Sequence, residues 1–285
     1  MTRAALVLLV LLALASGTVR AADAKDGLTR DPLADARVHT QGLLVPGSEA
    51  WANAHRKAVE KREARMFSRE PQKASPQRSH PLYLKLTRGS PAHKTIALTF
   101  DDGPHPEFTP KLLAVLNKYN VKASFFVVGK MAQKYPDLVR QEVAAGHEIG
   151  NHTFNHANVA RLTESGAAAE WKAGDQAITA ITGEKVRYCR PPGGRYDRES
   201  VIAASGLGLT TVLWTDNSAD YLGMSPRRLE RRVLSRISNG GIVLMHDGVQ
   251  QTIDVLPEII EKLRSKGYRF VTLSEMESEM KSGRS

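Results

Sequence analysis

From residue 94 onward the chain alternates two kinds of segment, and the alternation limits the folds open to it. Short apolar, β-branched runs recur at residues 95–100, 123–128, 148–150, 185–189, 209–214, 241–245 and 269–273. Helical patterns lie between them at 110–119, 136–145, 167–182, 226–237 and 253–266. Strand and helix signals in this order predict an α/β protein with a mainly parallel sheet or barrel and helices outside. About seven strands in about 190 residues suit an incomplete (β/α) barrel better than a full eight-fold one. A doubly wound open sheet is the competing arrangement.

Nearly every run ends in polar, titratable or Gly/Pro residues: Asp101-Asp102-Gly103-Pro104, Asn151-His152 with His156 beyond, Arg190-Pro191-Pro192-Gly193-Gly194, the stretch from Asp216 to Tyr221, and His246-Asp247-Gly248. The carboxyl ends of parallel strands share one face, where such folds hold their sites. These clusters are therefore expected to converge.

The N-terminal part is different. Arg3, an apolar run at 4–15 and small residues at Val19, Ala21 and Ala22 form the pattern of a secretory signal peptide, expected over 1–22. The run is short for a spanning helix, and no second apolar stretch of that length follows, so a soluble exported protein is expected, in the periplasm, at the cell envelope or outside the cell. Residues 23–93 read as a basic arm and linker, with one helix at 48–67 and a polar, proline-bearing stretch at 71–80. The formal charge of +10 is concentrated there: residues 1–93 carry 15 Lys and Arg against 8 Asp and Glu. Such an arm suits association with an anionic envelope, or is simply a solvated linker; no nucleic-acid partner is expected. The catalytic domain is expected over 94–281. A single cysteine, Cys189, excludes an internal disulfide and reads as a buried strand residue.

His152, His156 and one of Asp101 or Asp102 make a donor set that suits Zn²⁺ and accommodates Co²⁺, Ni²⁺ or Fe²⁺. The i, i+4 spacing of the two histidines would put both rings on one side of a helical turn. Adjacent carboxylates on an extended segment point in different directions, so one can bind metal while the other acts as a general base. Metal and Arg190 would offset the charge repulsion between them.

Five ordered segments carry a resemblance: TFDDGP at 99–104, HTFNH at 152–156, RPPGG at 190–194, DNSADY at 216–221 and LMH at 244–246. Together they resemble the polysaccharide deacetylases of carbohydrate esterase family four, with their NodB-type domain, from about residue 94 to 280. The resemblance implies an incomplete (β/α) barrel, one divalent metal ion, zinc by preference, and hydrolysis of the N-acetyl group of N-acetylglucosamine-type residues in a polysaccharide. Peptidoglycan, chitin-like chains and exopolysaccharide are candidate polymers. It implies Asp101 as general base, Asp102, His152 and His156 as metal ligands, and Arg190 as the residue that holds the base. His246 would be the general acid, with Asp220 orienting it. The backbone N–H of Gly193, next to Pro192, falls where the family has an oxyanion donor, and Tyr221 and Leu244 would line the acetyl-methyl pocket.

The chain departs from the family pattern at Asn217, where aspartate is common, at Tyr221, where tryptophan is common, and at Gly193, where many relatives have tyrosine. These changes bear on specificity. Two further histidines invite roles: His105 could touch substrate or stabilise its turn, and His147 reads as structural. Alternative functions are O-acetyl ester cleavage, non-catalytic glycan binding, which would not require Asp101, and cyclic-amide hydrolysis, which relatives perform without the full metal triad.

Overall fold

The computed structural model describes residues 85–282. The signal peptide expected at 1–22 and the helix expected at 48–67 fall outside the described residues. Lys85–Leu86, within the segment read as arm and linker, already forms a sheet strand, β1.

The chain then runs β2 (Thr95–Asp101), α1 (Phe108–Lys118), β3 (Ser124–Val127), α2 (Gly129–Lys134), α3 (Pro136–Ala144), β4 (Glu148–Asn151) and α4 (Glu164–Thr182). It continues with β5 (Tyr188–Cys189), α5 (Arg198–Gly206), β6 (Thr210–Val212), β7 (Asp216–Asn217), α6 (Pro226–Arg236), β8 (Gly241–His246), α7 (Gln250–Ser265), β9 (Arg269–Phe270) and α8 (Leu273–Ser282). Every pairing among these strands is parallel, in the order β1-β6-β5-β4-β3-β2-β8-β7, with β9 on the far end of β2. β1 and β7 stand at the two edges unpaired with each other. This is the incomplete barrel expected from the sequence, with nine strands where about seven were read. The two extra strands, β1 and β7, are two residues each, too short to carry a period-2 signal.

The period-2 alternation of β2 sorts the core into two layers. Ile96, Leu98 and Phe100 pack outward with Leu112 and Leu116 of α1 and Ile259, Ile260 and Leu263 of α7. Ala97 faces the barrel interior with Phe126, Tyr188, Val212 and Ile242, and Leu273 and Met276 of α8 join that cluster. Residues 269–273 were expected to be one strand. The strand ends at Phe270, because the Glu148 carboxylate captures the N–H groups of Leu273 (3.0 Å) and Ser274 (3.3 Å) and starts α8 there. With that plug at one end, the other end of the interior is left to Thr99, Asp101 and the loops that follow the strands.

Local signals account for the helices that flank the site. Thr163 caps α4 through Gly166 N–H (3.2 Å), and Gly183 ends it at φ 75°. Asp197 and Ser200 form a reciprocal capping box at the start of α5.

Glu142 of α3 is fully buried, and among the described residues neither carboxylate oxygen has a hydrogen-bond partner. Burial, helped by the negative charge of Asp247, pushes its carboxyl well above the usual value near 4.5. The folded state thus favours neutral Glu142. Its contribution is intact at acid pH and is lost as pH rises above the unfolded value toward the folded one. Glu142→Leu is expected to raise Tm by roughly 3–10 °C at pH 8 and by less at pH 5. An equal gain at both pH values in thermal melts would show that Glu142 is not carrying the titration.

Candidate active site

The polar strand ends converge. β2 pairs in register with β8, so Asp101 lies beside His246, while Asn151 at the end of β4 lies beside Cys189 of β5. Asp101 and Arg190 are both buried, and Arg190 Nη1 donates to Asp101 Oδ1 (2.7 Å) and to Thr99 Oγ1 (2.7 Å). The guanidinium lies over the Phe126 ring at 4.1 Å and near Trp214 at 5.7 Å. Nε and Nη2 donate to the carbonyls of Val212 and Leu213 at 3.4 and 3.3 Å. A planar guanidinium can satisfy this set of acceptors; a lysine cannot.

Asp102, His152 and His156 come together, each offering one ligand atom within 4.8 Å of the others. Asp102 Oδ1 is 3.3 Å from His152 Nε2 and 3.0 Å from His156 Nε2. His152 Nδ1 lies 2.8 Å from the Arg190 carbonyl, which can only accept, so the proton sits on Nδ1 and the Nε2 lone pair faces the carboxylates. Two imidazole nitrogens and one carboxylate oxygen, with the remaining side open, are a donor set that fits a divalent transition metal such as zinc. Burial opposes charge on Asp102, but the neighbouring imidazoles of His152 and His156, with the charge of His246, outweigh it and hold the carboxyl well below its usual range.

Two geometric expectations are corrected. His152 and His156 do not share a helical turn; they lie in a loop whose residues Thr153 (φ 66°) and His156 (φ 58°) are left-handed. Nor does an extended segment splay the two aspartates. Asp102 turns left-handed (φ 76°), and both carboxylates face His152 Nε2, at 3.7 Å for Asp101 Oδ2 and 3.3 Å for Asp102. Left-handed backbone costs a residue with a side chain about 1–2 kcal/mol, and a β-branched residue like Thr153 more. Side-chain bonds hold the loop there: Asn151 accepts from Thr153 N–H (2.9 Å) while donating to the Trp171 carbonyl (2.7 Å), and Thr153 Oγ1 accepts from Ala157 N–H (3.0 Å). Gly174 of α4 is what lets Asn151 fit, since a Cβ there would lie 2.4 Å from its Oδ1.

His246 Nδ1 is 2.7 Å from Asp220 Oδ1. Asp220 also accepts from the His246 N–H (2.8 Å), Thr252 Oγ1 (2.6 Å) and the Tyr221 N–H (3.1 Å). Burial works against charge on His246, but the Asp220 charge and hydrogen bond, with help from Asp102 and Asp101, lift its pKa to about 9. Nε2 is left as the proton-carrying nitrogen. The Tyr221 ring meets the His246 ring edge-on at 5.1 Å. Leu244 shares its strand face with His246, being two residues away on β8, and is buried. Pro192 is buried beside Gly193, which is exposed and left-handed (φ 59°).

Sequence reasoning missed Thr99, Trp214 and Thr252, because an apolar strand and a helix start give no hint of what they will touch. It named Asp247 within a strand-end cluster but not its role: a buried carboxylate, it accepts from Thr109 Oγ1 and packs on the DDGP turn, where a Cβ on Gly103 would lie 2.5 Å from Oδ2. His105 belongs to the same turn: its Nδ1 accepts from the N–H groups of Glu107 and Phe108 (3.2 and 3.3 Å), so the ring stabilises the start of α1.

A family model described as polysaccharide deacetylase matches residues 88–212. A peptidoglycan-N-acetylglucosamine deacetylase of Bacillus cereus is 37% identical over 188 residues, covering 64% of this chain and 88% of that one. The chain belongs to the polysaccharide deacetylase family. The relatives set beside it are named deacetylases, hydrolases of a carbon–nitrogen bond, and this chain is a hydrolase of that kind. A peptidoglycan-N-acetylmuramic acid deacetylase of Bacillus subtilis is 34% identical over 191 residues, 67% of this deacetylase but only 40% of that longer protein. The fold matches that of a solved family-four pseudoenzyme from Bacillus anthracis with a TM-score of 0.66, at 29% identity and 77% and 80% coverage.

Asp220→Asn should keep the hydrogen bond geometry but remove the charge. The His246 pKa, followed by NMR titration, is then expected to fall from about 9 toward the ordinary 6.5. An unchanged value would mean that Asp220 does not set it.

Proposed function

We propose that the protein removes N-acetyl groups from N-acetylglucosamine residues of peptidoglycan, releasing acetate, in a reaction that requires a divalent metal ion. The observation that carries the reading is the separation of two carboxylate roles at one strand end: Asp101 is held by Arg190, and Asp102 is grouped with His152 and His156. A protein that only bound glycan would have no use for a buried, arginine-held carboxylate beside such a donor set. The names of the relatives support peptidoglycan as the polymer.

Asp102, His152 and His156 would hold the ion, with zinc as the preferred species. When bound, it would polarise the amide carbonyl and make water easier to deprotonate. Asp101 uses Oδ1 for Arg190, which leaves Oδ2 to take the proton of the attacking water. The backbone N–H of Gly193 donates to the oxygen on which negative charge develops. An amine leaves poorly unless protonated, and His246 Nε2 supplies that proton while Asp220 keeps the ring charged and aimed. Tyr221 and Leu244 then wall the space for the acetyl methyl, with Pro192 beside them. Residues 1–22 would export the chain to the polymer, and the basic arm would keep it at an anionic envelope.

Acetate release by the mature protein from peptidoglycan is expected with Zn²⁺ and is expected to stop with chelator. Release that ignores chelator would overturn the metal requirement; release from acetylated esters alone would replace the amide by an ester substrate. The rate should fall as pH rises through the His246 value, about 9 before a nearby cation draws it down, because the acid must be protonated. His246→Ala is expected to lower kcat on the amide by roughly 10²–10⁴ and to affect an acetyl ester less.

A further inference from the structure

Resting on that reading, we infer that the exposed face of α6 binds the carboxylates of the peptides that a peptidoglycan strand carries. The site thereby prefers an acidic, peptide-bearing strand over a neutral chain of the same sugar.

α6 reads PRRLERRVLSR, with Leu229 and Val233 buried and five arginines, of which Arg227, Arg228 and Arg231 lie on the arc turned away from those two. Two of the five serve the fold. Arg232 Nε donates to the Asn217 carbonyl (3.1 Å), and Arg236 and Arg232 offset the burial of the Asp216 carboxylate. Arg227, Arg228 and Arg231 are exposed and, among the described residues, form no ion pair. The one acid of the helix, Glu230, is engaged by Lys262 of α7.

This stripe works against the helix that carries it. Arg227 and Arg231, and Arg228 and Arg232, are like charges one turn apart, which destabilises an isolated helix. The first turn holds no acid, so the cations also face the positive end of the helix dipole. The other long surface helices mix their charges: α4 carries Glu164, Glu170, Lys172 and Asp175, and α7 carries Asp254, Glu258, Glu261, Lys262 and Arg264. A self-repelling stripe is the kind of local conflict that folds keep for binding.

Its position fits that use. The turn Asp220–Leu222, which holds the partner of His246 and the ring of Tyr221, leads directly into α6. Parallel strands deliver the chain to the site's face and the helices run back from it, so the first turn of α6 lies at the mouth. The loop after β5 adds exposed Arg195 to the same face. Guanidinium pairs with planar carboxylates in a bidentate fork. The peptide carboxylates are the anions covalently fixed at a constant spacing from the acetamide to be cleaved, whereas wall phosphates belong to other polymers.

The test compares wild type with R227Q/R228Q/R231Q on three substrates: native peptidoglycan, the same material with its carboxylates amidated, and a neutral N-acetylglucosamine hexamer. The variant is expected to lose about tenfold in kcat/KM on native peptidoglycan through KM and to change less than about twofold on the hexamer. Wild type should lose a similar factor on amidated material and as salt is raised. Equal losses on all three substrates, or no loss on native peptidoglycan, overturn the inference. So does sensitivity to stripping of wall phosphate polymers with none to amidation. Pelleting with insoluble peptidoglycan reads the face without turnover: binding that weakens with the variant and with amidation supports it even where no acetate is released, and unchanged binding contradicts it.

Discussion

A buried arginine and a buried aspartate meet at 2.7 Å inside the open barrel, and the rest of the site is arranged around that pair. Removing both charges from water is expensive, and breaking such a pair by deleting one partner leaves a charge with nothing to offset it. The fold meets the demand with Thr99 of β2, the carbonyls of Val212 and Leu213, and the faces of Phe126 and Trp214. Burial alone would weaken the hold of Arg190 on its proton, and the neighbouring Asp101 charge works in the opposite direction. Arg190 acts twice. Its guanidinium fixes one oxygen of Asp101, and its backbone carbonyl fixes the tautomer of His152, so one residue orients both the candidate base and a candidate ligand.

Around the pair, order is imposed on backbone that would not choose it. Among the described residues five non-glycine positions are left-handed, and four of them, Asp102, Thr153, His156 and Ala219, lie in the strand-end loops of the site. Strain of this kind persists only where the surroundings over-determine it. Asn151 does so for the histidine loop, Asp247 for the aspartate turn, and Asp220 for the His246 side, where one carboxylate accepts four hydrogen bonds. The sites of greatest strain and greatest polar burial therefore coincide.

The sequence made the architecture legible because long buried strands and amphipathic helices carry strong periods. β2 and β8 were read to within one residue, as were the ends of α3 and α6. The elements it concealed are weak for identifiable reasons. α2 is six residues, α5 buries small residues such as Ala203 and Ala204, and β7 is two residues inside a polar stretch. The residues with chemistry were visible as strand-end clusters, but their geometry was not. No local signal says that Thr153 will turn left-handed and break the expected helical turn, or that Asp102 will rotate to face the same histidine as Asp101. Those conformations are set by long-range partners, Trp171 through Asn151 and Thr109 through Asp247.

The account assigns the two neighbouring aspartates to different tasks, and measuring zinc stoichiometry together with acetate release in Asp101→Asn and Asp102→Asn tests it most directly. Asp101→Asn is expected to bind one zinc and release almost no acetate, while Asp102→Asn loses zinc and acetate release together. An Asp101→Asn protein that fails to bind zinc, or an Asp102→Asn protein that binds it as wild type does, would contradict the division of labour.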